Sequence, residues 1–172
     1  MANIRLKYAY WQSPVGYLFL LVGDKGLCKI IINRPLEDCL VIAKKRYSDN
    51  IEADQEALGN IILILTHYFL GRTRSFNLEL DWEINKATPF QKKVWQVLAQ
   101  IPYGQVRSYQ WVANKINVPQ GTRAVGAANR SNPLPIVIPC HRVINADGGL
   151  GGYRAGVQIK QTLLEMEGVR LK

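Results

Sequence analysis

Several features that would assign a chain of 172 residues to a common class are missing from this sequence. No apolar run approaches the roughly 20 residues that a membrane-spanning helix needs. The N-terminus, MANIRLKYAYWQS, lacks the continuous apolar core of a signal peptide. We therefore expect a cytosolic protein whose three cysteines, Cys28, Cys39 and Cys140, are reduced. Their spacing lacks the close Cys and His pairs of a zinc site, so no metal is expected. No cofactor is expected either.

Acidic residues are scarce in only one half of the chain. Residues 1–85 hold ten Lys and Arg and ten Asp and Glu, whereas residues 86–172 hold twelve and three. The formal net charge of +9 therefore belongs to the second half, which a general solubilising charge does not explain. A basic half beside a neutral one indicates a domain that binds a polyanion. Nucleic acid is favoured over a membrane surface because the sequence has no basic amphipathic helix with large apolar anchors.

The first half has the pattern of a small α+β unit. Three strand-like runs, Tyr8–Gln12, Gly16–Val22 and Leu27–Ile32, are separated by glycine-rich turn signals. Two helices are predicted after them, Pro35–Tyr47 and Asp54–Leu70, from their apolar spacing and end signals. No catalytic motif stands out in this half.

The second half has three candidate helix starts. Thr88, Ser108 and Thr122 are all favourable N-cap residues, and each precedes a run with helical character. The predicted helices Tyr109–Ile116 and Arg123–Arg130 are joined by a tight polar loop. Two short helices joined in this way are typical of a helix-turn-helix, in which the second helix is the recognition element.

The predicted recognition helix has an unusual composition. Ala124, Gly126 and Ala127 leave it nearly bare, while Arg123 and Arg130 stand at its ends. Glycine lowers helix stability, and an arginine is unfavourable at the positive end of the helix dipole. The helix is bare either because it packs closely against neighbouring elements or because it approaches DNA closely. The stability cost of Gly126, the unfavourable position of Arg123 and the basic surroundings favour a close approach to DNA.

The segment IVIPCHRVI, residues 136–144, places a thiol beside one of only two histidines. Cys140 is a strong nucleophile only as a thiolate, so it needs a partner such as His141 to take its proton. Neighbours on an extended strand point to opposite faces, so this segment must turn or a water must bridge the two side chains. Pro139 supports a fixed turn. A lone cysteine in an apolar run is usually inert, but the neighbouring His, Arg and Pro favour a working one.

IPCHRVI, together with RAVGAANRSNP and FQKKVWQVLAQIPYGQVRSY, resembles the O6-alkylguanine-DNA alkyltransferases, or methylated-DNA–protein-cysteine methyltransferases. The three motifs follow the family's order and spacing from about Thr88 to Gly168. The first half resembles the family only through SPVGYLFLLV and GDKGL. The resemblance implies an α/β (α+β) protein with an N-terminal ribonuclease-H-like domain, 1–85. A C-terminal winged helix-turn-helix domain, 86–172, would carry the active site.

The resemblance also implies roles for individual residues. Cys140 would accept the alkyl carbon bonded to guanine O6 in a single displacement. His141 would be its base, acting through a water, and Glu167 would orient the imidazole and stabilise its cation. Asn132 would brace the turn that leads to the cysteine. Tyr109 would help to rotate the nucleotide and would protonate O6 as guanine leaves.

The resemblance implies two further sets of residues, one that binds DNA and one that lines the substrate pocket. In the first set, Arg123 would fill the space left by the extruded guanine. The DNA-binding set is Arg123, Ala124, Gly126, Ala127 and Arg130. The substrate-pocket set is Pro135, Val143, Tyr153 and Arg154. Lys160 matches a family lysine near the site, to which the sequence assigns no specific role.

One segment departs from the family pattern. After Gly152-Tyr153 the family commonly has a Ser or Ala and two glycines, whereas this chain has Arg154-Ala155-Gly156-Val157. Either the bulk of Arg154 and the restricted backbone of Ala155 narrow the alkyl pocket, or Arg154 points away to solvent or a phosphate.

The expected function is the repair of duplex DNA that carries O6-alkylguanine, with O4-alkylthymine as a second candidate lesion. A monomer would transfer the alkyl group irreversibly to Cys140 in one turnover. A cysteine hydrolase is one alternative, but it does not explain the helix-turn-helix or the segregated charge. The other is a non-catalytic module that recognises alkylated bases. Related alkyltransferase-like proteins of that kind lack the reactive cysteine, which this chain has.

Overall fold

A computed structural model describes residues 5–170 of the chain. The chain forms two compact units that are divided in sequence between Lys86 and Ala87. The ends of the two predicted domains, 1–4 and 171–172, lie outside the described residues. No helix within the described range is long and apolar enough to cross a membrane.

The first unit is built on a mixed four-stranded sheet. Its strands are β1 (Leu6–Ser13), β2 (Gly16–Gly23), β3 (Gly26–Ile32) and β4 (Ile51–Ala53). They lie in the order β3-β2-β1-β4. Antiparallel hairpins join the first three strands, with Ala9 opposite Leu20, and β4 runs parallel to β1. The three predicted strands are confirmed. The fourth was missed because three residues, IEA, are too few to show an alternating pattern.

Two helices, α1 (Leu36–Arg46) and α2 (Gly59–Phe69), complete the first unit. The prediction that the second helix begins at Asp54 is wrong, because the helix begins five residues later, at Gly59. The Asp54 carboxylate accepts a hydrogen bond from the Ala57 N–H at 2.9 Å, which gives the backbone a turn instead of a helix. A buried cluster fills the core of this unit: Leu6, Phe19, Leu21, Cys28, Cys39 and Ala43.

The second unit is mainly helical. Its elements are α3 (Pro89–Ala99), β5 (Arg107–Ser108), α4 (Tyr109–Lys115), α5 (Thr122–Arg130), a 3-10 turn (Cys140–Arg142), β6 (Val143–Ile144) and α6 (Val157–Met166). β5 and β6 pair in parallel. The mixed α/β fold class is confirmed.

Two of the three predicted N-caps are confirmed. Thr88 forms a capping box with Gln91, and the Ser108 hydroxyl accepts a hydrogen bond from the Trp111 N–H at 3.0 Å. The third prediction is wrong, since Gly121 occupies the N-cap position of α5 without a side-chain cap. A Cβ on Gly121 would lie 3.0 Å from the carbonyl oxygen of Val118, so the tight turn before α5 leaves little room for a side chain.

α4 and α5 form the predicted helix-turn-helix and pack against α3. The Trp95 indole N–H donates to the carbonyl oxygen of Ala128 at 2.9 Å, which ties α5 to α3. Val94, Leu98, Val112 and Val125 are fully buried behind the two helices. Each such burial contributes about 1.5–3 kcal/mol. This core therefore fixes the position of α5 from its inner side and leaves its outer side at the surface.

Candidate active site

Cys140, His141 and Arg142 form the single turn of 3-10 helix that leads into β6. The Cys140 N–H donates to the carbonyl oxygen of Ile138 at 2.7 Å, and the Arg142 N–H donates to that of Pro139 at 3.0 Å. All three side chains are buried. The segment therefore turns at Pro139, as the sequence predicted, and does not place its side chains alternately as a strand does.

Glu167, one residue beyond α6, holds two of these side chains. Its Oε1 lies 2.8 Å from Nε2 of His141. The Arg142 guanidinium donates to both carboxylate oxygens, at 2.9 Å each, and also to the Ile101 carbonyl oxygen at 2.6 Å. The Gly104 N–H donates to Oε2 at 3.2 Å. Paired, charge-assisted hydrogen bonds of this kind fix the carboxylate tightly.

His141 is arranged as a neutral base. Burial lowers the pKa of its imidazole, and the neighbouring charges of Arg142 and Lys160 lower it further, against the opposing effect of Glu167. Because Nε2 faces a carboxylate, it carries the ring proton and donates, which leaves the lone pair on Nδ1. Nδ1 is buried and has no hydrogen-bond partner within residues 5–170. The ring therefore presents a free acceptor inside the site.

Cys140 is held as a thiol. Burial raises the pKa of its Sγ, while hydrogen bonding to Asn132 and Tyr153 and the positive charge of Lys160 lower it less strongly. A thiol of raised pKa is a weak nucleophile at neutral pH, so it must lose its proton to a base as it reacts.

Asn132 spans the tight loop that precedes the cysteine. Its Nδ2 donates to the Ile138 carbonyl oxygen at 2.8 Å, and its Oδ1 accepts from the Leu134 N–H at 3.0 Å. Between these two contacts, buried Ile136 has a φ of +76°. A β-branched residue rarely adopts this conformation, which costs about 1–3 kcal/mol. The Asn132 side chain therefore brackets a strained loop.

Lys160, in the first turn of α6, is fully buried. Its ammonium donates to the carbonyl oxygen of Val143 at 2.6 Å and to that of Leu150. Burial lowers the pKa of Lys160 to about 8, although nearby Cys140 acts to raise it. This side chain ties β6 to the loop before α6 and places a positive charge near the thiol.

Tyr109, the first residue of α4, lies between two glycines. A Cβ on Gly126 would lie 4.0 Å from one edge of its ring, and a Cβ on Gly151 would lie 3.3 Å from the other. Burial raises the pKa of Tyr109, hydrogen bonding to Asn129 lowers it, and the charge of an ionised Cys140 would raise it. The phenol group is thus near both Asn129 and Cys140.

The implied DNA-binding residues share the outer side of α5. Arg123, Ala124, Ala127 and Arg130 are exposed and Gly126 is partly buried. The buried residues Val125, Ala128 and Asn129 form the opposite side. The structure therefore gathers this predicted set on one bare surface with an arginine at each end.

The implied pocket residues differ in exposure. Val143 is buried, Pro135 and Tyr153 are partly buried, and Arg154 is exposed. Tyr153 lies close enough to Cys140 to be among the groups that lower the pKa of its thiol. Since the Arg154 side chain lies in solvent, its bulk does not fill a pocket. The structure favours the outward orientation among the two alternatives for this segment.

Sequence reasoning missed two residues of the site, Arg142 and Asn129. Arg142 stands next to His141 in the quoted motif, so its position was visible, but its ion pair with a carboxylate 25 positions away was not. Asn129 is a polar residue on the inner side of a helix otherwise lined by small apolar residues. That departure from the apolar pattern was the available signal.

A helix-turn-helix shares one basic unit with a buried Cys140 and a hydrogen-bonded pair of His141 and Glu167. This combination fits the class of DNA-binding proteins that carry a cysteine nucleophile. The chain matches the family model "6-O-methylguanine DNA methyltransferase, ribonuclease-like domain" over residues 6–82. It matches "6-O-methylguanine DNA methyltransferase, DNA binding domain" over residues 89–169. The chain belongs to the family of methylated-DNA–protein-cysteine methyltransferases, and the resemblance inferred from the sequence is confirmed.

Individual relatives agree with this assignment. A methylated-DNA–protein-cysteine methyltransferase of Methanosarcina acetivorans is 38% identical, over 94% of this chain and 97% of the relative. An inducible protein of the same name from Bacillus subtilis is 40% identical, over 78% of this chain and 74% of its own. The crystal structure of Mycobacterium tuberculosis OGT in complex with DNA is 36% identical, with a TM-score of 0.80, and covers 94% of this chain and 93% of that chain.

Proposed function

We propose that this protein repairs O6-alkylguanine in duplex DNA by transferring the alkyl group once to its own Cys140. The observation that carries the proposal is the buried Cys140 thiol next to the hydrogen-bonded pair of His141 and Glu167, in the unit that presents α5. The relatives' names and the solved complex of a relative with DNA support both the reaction and the DNA partner.

The proposed reaction is one displacement. His141 takes the Cys140 proton at Nδ1, through one bridging water, while Glu167 stabilises the resulting imidazolium. The sulfur forms a bond to the alkyl carbon as the bond from that carbon to O6 breaks. The electron pair of the broken bond moves to the guanine, and Tyr109 donates a proton to O6. The free acceptor at Nδ1 and the proximity of Tyr109 to the thiol support these roles.

The other neighbours of Cys140 are proposed to hold it in position. Asn132 keeps the strained loop closed, and Lys160 holds β6 against the following loop. Val143 and Arg154 offer backbone groups to the base edge, and Pro135 and Tyr153 line the pocket. The exposure of the Arg154 side chain is compatible with a role for its backbone alone.

The target base must leave the duplex to reach a buried thiol, which costs roughly a few kcal/mol. We propose that α5 lies against the DNA through Ala124, Gly126 and Ala127, and that Arg123 fills the space left by the guanine. Arg130 contacts the phosphate backbone of the DNA. Support comes from their shared exposure and from the space beside Gly126, where protein packing alone leaves room for a methyl group. All these residues belong to one unit, so a monomer suffices.

Replacing Arg123 with alanine tests the extrusion step. Arg123→Ala should slow alkyl transfer from duplex DNA by tenfold or more, roughly the loss expected when a positioning group is removed. Transfer from free O6-alkylguanine base should stay within about twofold of native, because no base has to be flipped. Equal slowing on both substrates would exclude a role in extrusion.

A titration of methylated duplex separates the proposed reaction from its rivals. The amount of O6-methylguanine lost should equal the amount of protein added and then stop. Continued loss would indicate a cysteine hydrolase, and binding without loss would indicate a non-catalytic module. The same titration with O4-methylthymine duplex measures the second candidate lesion.

A further inference from the structure

Arg142 is a buried cation in the 3-10 turn that also carries Cys140 and His141. Its Nε donates to Oε2 of Glu167 and its Nη2 donates to Oε1, each at 2.9 Å. Its Nη1 donates to the carbonyl oxygen of Ile101 at 2.6 Å. A guanidinium that binds both oxygens of a carboxylate in this way fixes the orientation of the carboxylate as well as its position.

The Glu167 carboxylate contacts His141 through one of the same two oxygens. Oε1 accepts from Nη2 of Arg142 and lies 2.8 Å from Nε2 of His141. Oε2 accepts from Arg142 and from the Gly104 N–H at 3.2 Å. The carboxylate cannot turn without breaking its bonds to Arg142, so Oε1 stays at Nε2 and the lone pair of the ring stays on Nδ1.

A buried carboxylate needs a nearby cation, and two neighbouring side chains could supply it. A protonated His141 would pair with Glu167, but its ring would then have no lone pair to accept the Cys140 proton. The guanidinium of Arg142 keeps its charge throughout the pH range in which proteins are folded. Arg142 therefore neutralises Glu167 without requiring a charge on the imidazole.

Arg142 is also close enough to His141 to oppose its protonation. Nη2 of Arg142 and Nε2 of His141 both contact Oε1 of Glu167, so they lie less than about 6 Å apart, a separation at which a like charge disfavours the charged form of a group. Burial lowers the pKa of His141 most, Glu167 opposes this effect, and Arg142 and Lys160 add to the lowering.

The other elements around the 3-10 turn contribute few charges. Glu167 and Lys160 come from the end and the beginning of α6, and Tyr103 lies against the Arg142 guanidinium. α3 also packs against the turn. The buried residues of α3 are all uncharged: Val94, Trp95 and Leu98.

We propose that Arg142 is a positioning residue for the base of the transfer reaction. It holds Oε1 of Glu167 against Nε2 of His141, and as the permanent counter-ion of that carboxylate it leaves the imidazole neutral until Cys140 reacts. The inference rests on the proposed function, in which Nδ1 of His141 takes the thiol proton. Arg142 acts through Glu167 and His141 and does not itself touch the substrate.

A matched pair of substitutions in the full-length protein separates the charge of Arg142 from its hydrogen bonds. Arg142→Gln keeps an amide that can donate to Glu167 but removes the charge, whereas Arg142→Lys keeps both a donor and the charge. The measured quantity is the pH at which the His141 ring titrates, followed by NMR with isotopically labelled histidine. The chain has two histidines, so His67 of α2 provides an internal reference.

In Arg142→Gln the His141 ring should titrate about one pH unit or more above its native value, because the carboxylate has lost its other cation. The added proton goes to the ring, since the ordinary pKa of histidine, about 6.5, exceeds that of glutamate, about 4.3. In Arg142→Lys the shift should be less than about half a unit. Arg142→Met is measured alongside and should match Arg142→Gln, so the test does not depend on one neutral side chain.

The transfer rate provides a second measurement. With free O6-benzylguanine, the pH midpoint of the single-turnover rate should rise in Arg142→Gln by the same amount as the ring titration. Above that midpoint the rate should lie within about threefold of native, because the base is neutral again. Arg170→Gln, which removes an exposed arginine from the same unit, should change neither measurement.

An unchanged His141 titration in the neutral variants would overturn the proposal, and so would an equal shift in Arg142→Lys. A native protein whose His141 ring is charged at about pH 7 would also overturn it, and that measurement needs no variant. Failure of the proposed function is seen separately, because the ring titration needs no substrate. In that case the native protein takes no benzyl group from the free base, whatever the histidine result.

Discussion

Glu167 serves two residues with different requirements. In the proposed mechanism His141 needs an acceptor that stabilises its cation during transfer, whereas Arg142, buried beside it, needs a counter-ion at all times. Arg142 also lies over the Tyr103 ring, with its guanidinium carbon 5.8 Å from the ring centroid. The carboxylate therefore contributes to folding as well as to the proposed chemistry, and a substitution there affects both.

Replacing Glu167 with glutamine should reduce stability and rate together. The change leaves the Arg142 guanidinium buried without a counter-ion, which costs about 3–5 kcal/mol. Denaturant unfolding measures this loss, and single-turnover transfer measures the rate. The double variant Arg142→Met/Glu167→Gln should recover most of the stability, since an apolar residue can replace a buried ion pair, but not the rate. Recovery of the rate as well would show that His141 does not need the carboxylate.

The pH at which the transfer rate falls on the acid side should lie below the ordinary pKa of histidine. Burial lowers the pKa of His141, so the neutral base persists in the folded protein as the pH falls through about 6.5. The rate at pH 6.5 should therefore remain within about twofold of the rate at pH 7.5. A rate profile with its midpoint at or above pH 6.5 would contradict a neutral, buried His141.

The same shift makes stability depend on pH. The unfolded chain takes up the His141 proton near pH 6.5, and the folded protein takes it up only at a lower pH. Between these two values the unfolded state binds more protons, so stability falls as the pH drops. In the His141→Asn variant, the free energy of unfolding measured by urea titration should change less with pH in this range.

Single residues of the site differ in how far the sequence reveals them. Cys140 and His141 are adjacent and Pro139 indicates a turn before them, so both could be predicted from the sequence. Glu167 and Asn132 became candidates only through the family resemblance. The long-range contacts of Arg142 and Asn129 depend on how the end of α6, α5 and the 3-10 turn pack, which no local pattern encodes.

At the scale of elements, α5 combines a buried inner side with a bare outer side. Gly126 lowers the stability of this helix, and the protein has room for a methyl group there, at 4.0 Å from Tyr109. Internal packing therefore does not require glycine. A close approach by DNA to this side of α5 would require glycine at this position.

Gly126→Ala should separate helix stability from DNA repair. Alanine favours the helix by up to about 1 kcal/mol, so the variant should unfold at an equal or higher temperature. Transfer from methylated duplex should nevertheless slow, because the methyl group lies between α5 and the DNA. Transfer from free O6-alkylguanine should be nearly unchanged. A variant that repairs duplex at the native rate would show that this side of α5 does not approach DNA.

Elements with several periodic residues or a capping residue were predictable, and those without were not. Thr88 and Ser108 marked α3 and α4 because their hydroxyls satisfy free backbone N–H groups. β4 has three residues and is defined by its pairing with β1. Gly121 was passed over in favour of Thr122 because the close contact with Val118 arises only when the loop folds.

Charge is unevenly distributed over the whole molecule, and this has a measurable consequence. Residues 86–172 carry the entire formal charge of +9. If about four of their cations contact phosphates, affinity for duplex DNA should fall about a hundredfold between 50 and 200 mM salt. Arg130→Gln should reduce the slope of log affinity against log salt concentration by about one unit. Arg34→Gln, an exposed change in the neutral half, should leave it unchanged. An affinity independent of salt would contradict phosphate binding.

The most direct test of the whole account follows a labelled methyl group from DNA to protein. Duplex carrying O6-methylguanine with an isotopically labelled methyl group is incubated in excess with the full-length protein, and the products are digested and analysed by mass spectrometry. The account predicts one labelled methyl group per protein molecule, on the Cys140 sulfur, with unmodified guanine left in the duplex. Label on Cys28 or Cys39, label released as methanol, or more than one lesion repaired per protein molecule would contradict it.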